Sequence, residues 1–407
     1  MRILHLNTAD RIGGAAIAAH RLHVGLSERG IDSKLLVGIK SQPADMTTST
    51  ISTKAGYYLN RFIHKYCSRS GNDGFSAVGG KKRTARMIIS ADVVHMHNIH
   101  GGFFSLPHII KNSFGIPIIW TLHDMWALTG GCCFPYDCSA YLTGCSKQVG
   151  APCHYKRAQE LWCSKQKLYQ SRQLQLVVPS LSMLDLVRKS PLTQSLPVDY
   201  VPFGIDLQVF HPVDKTAVKR KLGIPVDDLV VGFRATTDRQ KGLQYVTECL
   251  KELKTDRGIS LLVLNQSGLV DVLKESYNVV ELGWISDQSQ MAATYNAMDV
   301  FLMPSTVETF GLMAMESMAC AVPVIAFENT VLVDTLFAPV GGITVPHGNV
   351  VALHQALSRA VEDEVYRKGI GLNALALARK HYDKDVYLDR MIEMYNRVVN
   401  SKVQKVT

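Results

Sequence analysis

The chain has 407 residues, 47% hydrophobic and 19% charged, enough apolar material for two domain cores and unlike a disordered or low-complexity protein. Its net charge of +9 is uneven: residues 1–205 carry 23 Lys and Arg against 11 Asp and Glu, and residues 206–407 carry 21 against 24, so an anionic partner is expected for the first half. No apolar run reaches the roughly 20 residues that span a bilayer, and MRILHLNTADR is broken at Asn7, Asp10 and Arg11 before a signal-peptide core can form. A cytoplasmic protein is expected, with its nine cysteines mostly reduced.

In chain order, RILHLN (2–7) reads as a strand and GGAAIAAHRLHVGLSERG (13–30) as the following helix, with Gly30 as its stop. Further strands are expected at Lys34–Val37, Asp92–Met96, Pro117–Leu122 and Leu174–Pro179. VPFGIDLQVFHP (201–212) has no helical period and suits a linker. A second strand series follows at 229–234, 260–265, 278–283, 299–305, 323–327 and 342–346. Strand–helix alternation with short connections predicts two Rossmann-like, doubly wound parallel-sheet α/β domains facing a cleft. The domain limits are 1–204 and 205–385, with 386–407 as a helix returning to the first domain. Ligands of such sheets sit beyond the carboxyl ends of the strands.

That rule selects specific residues. In PSTVETFGLMAMESMACAVP (304–323), Glu308 falls in a strand-to-helix loop and Glu316 in the second turn of the helix, on its interior side. The N–H groups of Gly311, Leu312 and Met313 lie in the first turn, where they have no intrahelical partners and suit an anion. One segment thus offers donors for a phosphate and carboxylates for sugar or ribose hydroxyls. FRATTDRQKGL (233–243) adds Arg234, Arg239 and Lys241, cations suited to a diphosphate or a basic solvated loop. In the first domain, TLHDMW (121–126) sets His123 and Asp124 at a strand end, HMH (95–97) is similarly placed, and Gly13-Gly14 leaves room for close approach after the first strand.

Three features are read more weakly. Cys132, Cys133, Cys138, Cys145, Cys153 and Cys163 fall within 32 residues, with His154 among them, but lack a C-x2-C pair. Ordinary thiols are expected rather than structural zinc. Tyr58, Phe62 and Tyr66 recur at helical spacing in 54–69, flanked by Lys54, Arg61, Lys65 and Arg69, and KKRTAR follows at 81–86. That segment suits either a membrane interface or a core-facing helix with a basic edge. No G-x-G-x-x-G follows either first strand, which disfavours a dehydrogenase, and no nucleic-acid module appears.

These motifs together resemble a family-4 retaining glycosyltransferase of GT-B fold: the Gly-Gly loop, His123, VPxGID, the Arg…Lys-Gly loop, and E-x7-E as Glu308…Glu316 around Phe310-Gly311. TLHDMWALTGGC with its trailing cysteines is similar to a narrower branch that builds bacterial exopolysaccharides of the colanic acid type. The resemblance implies a hexosyl transfer with retention from a nucleotide-diphosphate sugar to a polyprenyl-diphosphate-linked glycan, at the inner face of a bacterial membrane, without an obligatory metal or cofactor. It implies that Arg234 and Lys241 hold the diphosphate, that Glu316 holds the ribose, and that Glu308 and His123 contact the transferred sugar. The Gly13-Gly14 loop would close over the phosphates, with Phe310, Gly311, Leu312 and Met313 part of the donor site. Phe203 and Ala321 stand where the family has Asn and Gly, ENTVLVD replaces a glycine-rich segment, and Arg234 is seven residues from Lys241, so Arg239 shares or replaces its role. An epimerase or phosphorylase of the same fold, or a non-catalytic nucleotide-sugar-binding protein, are the alternatives.

Overall fold

The computed structural model describes residues 1–41, 46–67, 74–75, 77–135, 138–146, 157–170 and 174–403. The chain divides into two compact units, one of Met1–Pro202 with Tyr387–Thr407 and one of Phe203–Val386.

The first unit is built on seven parallel strands: β1 (Arg2–Ala9), β2 (Asp32–Ile39), β3 (Thr48–Thr50), β4 (Val93–Met96), β5 (Ile118–Thr121), β6 (Leu174–Val178) and β7 (Val198–Tyr200), in the order β3-β2-β1-β4-β5-β6-β7. The central strands are buried on both faces, which is why they read as continuous apolar runs. The helix after β1 spans Gly14–Glu28, and Gly30 takes φ 75° just beyond it, as a helix-stopping glycine does.

The second unit holds six parallel strands: β8 (Leu229–Ala235), β9 (Ile259–Asn265), β10 (Asn278–Gly283), β11 (Val300–Met303), β12 (Val324–Phe327) and β13 (Ile343–Val345), in the order β10-β9-β8-β11-β12-β13. In both sheets the order reverses beside the first strand, at β1/β4 and at β8/β11, the switch point where doubly wound sheets open a crevice.

Several expectations change. β11 ends at Met303 rather than Ser305, because Pro304 has no N–H with which to continue the ladder. β3 and β7, three residues each, are too short to show a period. The 201–212 stretch is irregular but not a loose linker. Ile205 bridges Asp383 in parallel, its N–H donates to the Tyr382 carbonyl at 2.7 Å, and Phe203, Ile205 and Phe210 are buried. Among the described residues, no helix is long and apolar enough to cross a membrane.

Candidate active site

The second unit gathers its candidate residues on the loops after β8 and β11, neighbouring strands in the sheet. Asp238 caps a single turn at Arg239–Lys241 by accepting from the Gln240 N–H. Gly242 then takes φ 75°, and a Cβ there would run into the Pro304 carbonyl oxygen, so the Lys-Gly pair is dictated by the close passage of the two loops. The Thr306 N–H donates to the Gln240 carbonyl at 2.8 Å, stitching the loops further. The result is an ion pair across them: Lys241 Nζ lies 2.6 Å from Glu308 Oε1, with both side chains mostly shielded from solvent.

Beyond Glu308 the helix Leu312–Ala319 starts at Gly311, whose φ of 89° favours glycine and where a Cβ would sit 2.5 Å from Leu332 Cδ2. Leu312 and Met313 are half-buried in its first turn. Glu316 is buried, as its interior position in the helix required, and accepts a hydrogen bond from Tyr295 Oη at 3.0 Å. Tyr295 lies in the helix Gln288–Ala297, a separate element, and no sequence spacing pointed to it. The Phe310 ring is buried edge-on against Phe203 (5.1 Å, 82°) and Tyr382 (5.5 Å, 82°), so only its backbone is left for a ligand. Phe203 is thereby explained as a packing partner of Phe310. Arg234, at the end of β8, is half-buried, whereas Arg239 is exposed; neither side chain has a hydrogen bond or ion pair among the described residues.

In the first unit, Gly13 takes φ 88° with nothing within 4 Å of a notional Cβ, and Gly13 and Gly14 are exposed, leaving open space after β1. Asp10, which sequence reasoning passed over, is buried and ties this loop to the end of β2 by accepting from the Ser41 N–H at 2.9 Å and the Ser41 hydroxyl at 2.8 Å. His123 is buried, and its Nε2 lies 3.0 Å from His97 Nδ1. Burial pushes the His123 pKa down to about 4. His95 falls to about 3 for the same reason, and His5 and His97 also lie well below the ordinary value. Burial thus favours the neutral form of all four rings.

Beside them His100 Nε2 lies 2.7 Å from Asp124 Oδ2, while the Trp126 N–H donates to Asp124 Oδ1 at 2.8 Å. Burial opposes the charge on each partner, but their mutual attraction outweighs it: His100 rises well above the usual imidazole value and Asp124 falls below the usual carboxylate range.

Among the described residues, two groups could hold a metal. His100, Asp124 and Cys133 bring ligand atoms within 4.8 Å of one another, as do His5, His95 and His97. In the second group both nitrogens of His95 are engaged, with Tyr395 Oη (2.7 Å) and Thr121 Oγ1 (2.8 Å), and both of His97, with His5 and His123, which leaves only His5 Nε2 for an ion. The first group draws one cysteine from the cysteine-rich segment. Cys132, Cys133, Cys138, Cys145 and Cys163 form no disulfide among the described residues, whereas Cys153 and His154 lie outside them.

The model for Glycosyltransferase Family 4 matches residues 12–209, and that for Glycosyl transferases group 1 matches residues 214–376. Between them the two glycosyltransferase models take in most of the chain, which is a glycosyltransferase. Among relatives, this glycosyltransferase is 24% identical over 397 residues to WcaC of Escherichia coli (strain K12), named as a colanic acid biosynthesis glycosyl transferase; the match covers 90% of this chain and 92% of that one. It is 32% identical over 159 residues to a D-inositol 3-phosphate glycosyltransferase of Segniliparus rotundus, covering 36% and 35% of the two chains. Solved structures share the fold. A sucrose-phosphate synthase from Thermosynechococcus elongatus superposes with a TM-score of 0.73 at 19% identity, covering 98% of this chain and 99% of that one. Anabaena HepE in complex with UDP-glucose gives 0.69 at 17% identity, covering 98% and 100%. The architecture is GT-B, as the family resemblance implied, built on the two parallel-sheet domains that the strand series predicted.

Proposed function

We propose that this glycosyltransferase moves a hexosyl unit, with retention, from a nucleotide-diphosphate sugar to a lipid-linked glycan during exopolysaccharide or lipopolysaccharide assembly. The observation that carries the reading is the Lys241–Glu308 pair at the carboxyl edge of β8 and β11, beside the helix that starts at Gly311. A cation for the diphosphate, a carboxylate for the sugar and amide donors for phosphate converge there. Glu316 would hold the ribose, Arg234 would assist Lys241, and exposed Arg239 would play the lesser part. The names of WcaC and of the HepE complex with UDP-glucose support the substrate class.

In the reaction the bond from the sugar's anomeric carbon to the diphosphate breaks, and one to the acceptor oxygen forms on the same face. The acceptor's proton passes to the departing diphosphate. Lys241, Arg234 and the first-turn amides stabilise the charge growing on that leaving group, in the manner of preorganised donors. Protein cations supply this charge, so no metal is required.

The basic first unit would take the acceptor at an anionic membrane surface. Supporting this, Tyr58 and Phe62 are 70% and 61% exposed on the helix Lys54–Cys67, with Arg61 and Lys65 exposed beside them. A core-facing role for these two rings does not fit that exposure. Lys81, Lys82, Arg83 and Arg86 are exposed on the next helix. The Tyr66 side chain and Arg69 lie outside the described residues. Incubating purified protein with a panel of nucleotide sugars and lipid extract, with and without EDTA, tests the reading. Transfer that survives EDTA and preserves the anomeric configuration supports it, whereas turnover without an acceptor product favours an epimerase or phosphorylase.

A further inference from the structure

Three histidines of the first unit form a hydrogen-bonded row on adjacent strands. His5 lies on β1, His97 directly after β4, and His123 two residues after β5. His5 Nδ1 lies 3.1 Å from His97 Nε2, and His97 Nδ1 lies 3.0 Å from His123 Nε2. All three are buried. A neutral imidazole carries one N–H and one lone pair, and His97 is linked through both nitrogens. Its single proton therefore sets the direction of the whole row, leaving two arrangements. Either His5 donates to His97 and His97 to His123, or both links run the other way.

The far end of the row decides between them. His5 Nε2 is buried with no hydrogen-bond partner among the described residues. The neighbouring His95 ring, 5.1 Å away, cannot supply one, since both of its nitrogens are engaged with Tyr395 and Thr121. In the reverse arrangement that nitrogen would carry an N–H with no acceptor, and orphaned buried N–H groups are the rarest defect in folded proteins. In the forward arrangement it carries only a lone pair. The forward arrangement makes His123 Nε2 an acceptor and leaves the proton on Nδ1.

We propose that His5 and His97 are positioning residues that hold His123 as the Nδ1–H tautomer, so that His123 meets the substrate as a hydrogen-bond donor to a sugar oxygen. This rests on the reading that His123 contacts the transferred sugar. A donor at that ring tolerates either a hydroxyl or a ring oxygen, whereas an acceptor would recognise hydroxyls alone.

Long-range 1H–15N correlation spectra of the full chain, labelled at histidine, read the tautomer directly and need no variant. The expected parent spectrum shows His123 with a protonated Nδ1 and a bare Nε2. In His97→Phe the ring should shift toward the Nε2–H form, and kcat for transfer should fall about tenfold, the loss of roughly one oriented hydrogen bond. His97→Asn, whose amide can still donate, should restore the tautomer and part of the rate. A parent His123 with its proton on Nε2, or a tautomer unmoved by His97→Phe, overturns the proposal whatever the activity. Unchanged transfer in His123→Ala would overturn the contact with substrate while leaving the tautomer assignment intact, so the two failures are distinguishable.

Discussion

Lys241 Nζ lies 2.6 Å from Glu308 Oε1, across two loops held together by the Thr306–Gln240 hydrogen bond and by the close passage of Gly242 past Pro304. Each charge holds the other in place before substrate arrives, which reduces the reorganisation needed at the moment of reaction. The pair should act as a unit. Lys241→Ala and Glu308→Gln should each lower kcat/KM by about a hundredfold to a thousandfold, on the scale of losing one preorganised electrostatic contact. The double variant should be little worse than the poorer single one, as for groups that work together. Multiplicative losses in a double-mutant cycle would show the two residues acting separately.

The Tyr295–Glu316 hydrogen bond makes a graded prediction. Glu316→Gln should weaken donor use about ten- to a hundredfold, the value of roughly 1.5–3 kcal/mol for a charged hydrogen bond. Tyr295→Phe leaves the carboxylate in place but removes one bond that orients it, so the donor KM should rise by a smaller factor, about fivefold. A larger loss in Tyr295→Phe than in Glu316→Gln would mean that the tyrosine, not the glutamate, meets the donor.

Two backbone positions give opposite stability changes. Gly242→Ala puts a side chain at φ 75° against the Pro304 carbonyl and should cost about 2–4 kcal/mol. Ala321 sits at φ 59°, a left-handed conformation that an L side chain resists. Ala321→Gly should therefore stabilise the second unit by about 0.5–1 kcal/mol, the relief of strain less the extra freedom of an unfolded glycine. Denaturant melts of the two variants check both signs.

Much of this was legible because the physics is local. Glycine at Gly30, Gly242 and Gly311 marks turns that demand positive φ, and the apolar runs of β1, β4, β5, β8 and β11 mark strands buried on both faces. Ala321 broke the family pattern in sequence, and the structure shows why the position favours glycine. Partnerships between distant segments were not legible. Tyr295 with Glu316, Phe203 with Phe310, and His97 with His123 are set by which strands and helices lie side by side. No spacing within one segment encodes that. Asp10 escaped notice because a loop aspartate looks like ordinary surface until its bonds to Ser41 are seen.

The first unit should be sensitive to acid. His5, His95, His97 and His123 have folded pKa values below the ordinary 6.5, about 3 for His95 and about 4 for His123. The unfolded chain thus binds more protons below pH 6.5. Their stabilising contribution is complete above that value and is lost as pH falls toward 4, by up to about 1.4 kcal/mol per pH unit for each ring. His100 works oppositely: its raised pKa stabilises below the unfolded value and is lost as pH rises through the folded one. The lowered pKa of Asp124 is lost only on further acidification. Denaturant midpoints followed by the fluorescence of Trp120, Trp126 and Trp162, all in the first unit, should be lower at pH 5 than at pH 7. Equal midpoints would mean that the rings are solvated.

Membrane contact is tested by sedimentation. The protein should pellet with anionic liposomes at low ionic strength and be released as salt rises, each Lys or Arg near the surface contributing about 1 kcal/mol. Changing Tyr58, Phe62 and Lys65 to Ser should reduce binding and transfer to a lipid acceptor while donor hydrolysis persists. Unchanged sedimentation at every salt concentration would place membrane contact elsewhere.

The central claim is that the loops after β8 and β11 hold a nucleoside diphosphate. Calorimetric titration of UDP and GDP into the parent protein, Lys241→Ala and Glu316→Gln tests it most directly. The account predicts binding of at least one of them to the parent in the presence of EDTA, weakened about tenfold or more in each variant by the loss of a charge-assisted contact. Equal affinity in all three proteins, or binding that vanishes on adding EDTA, would contradict it.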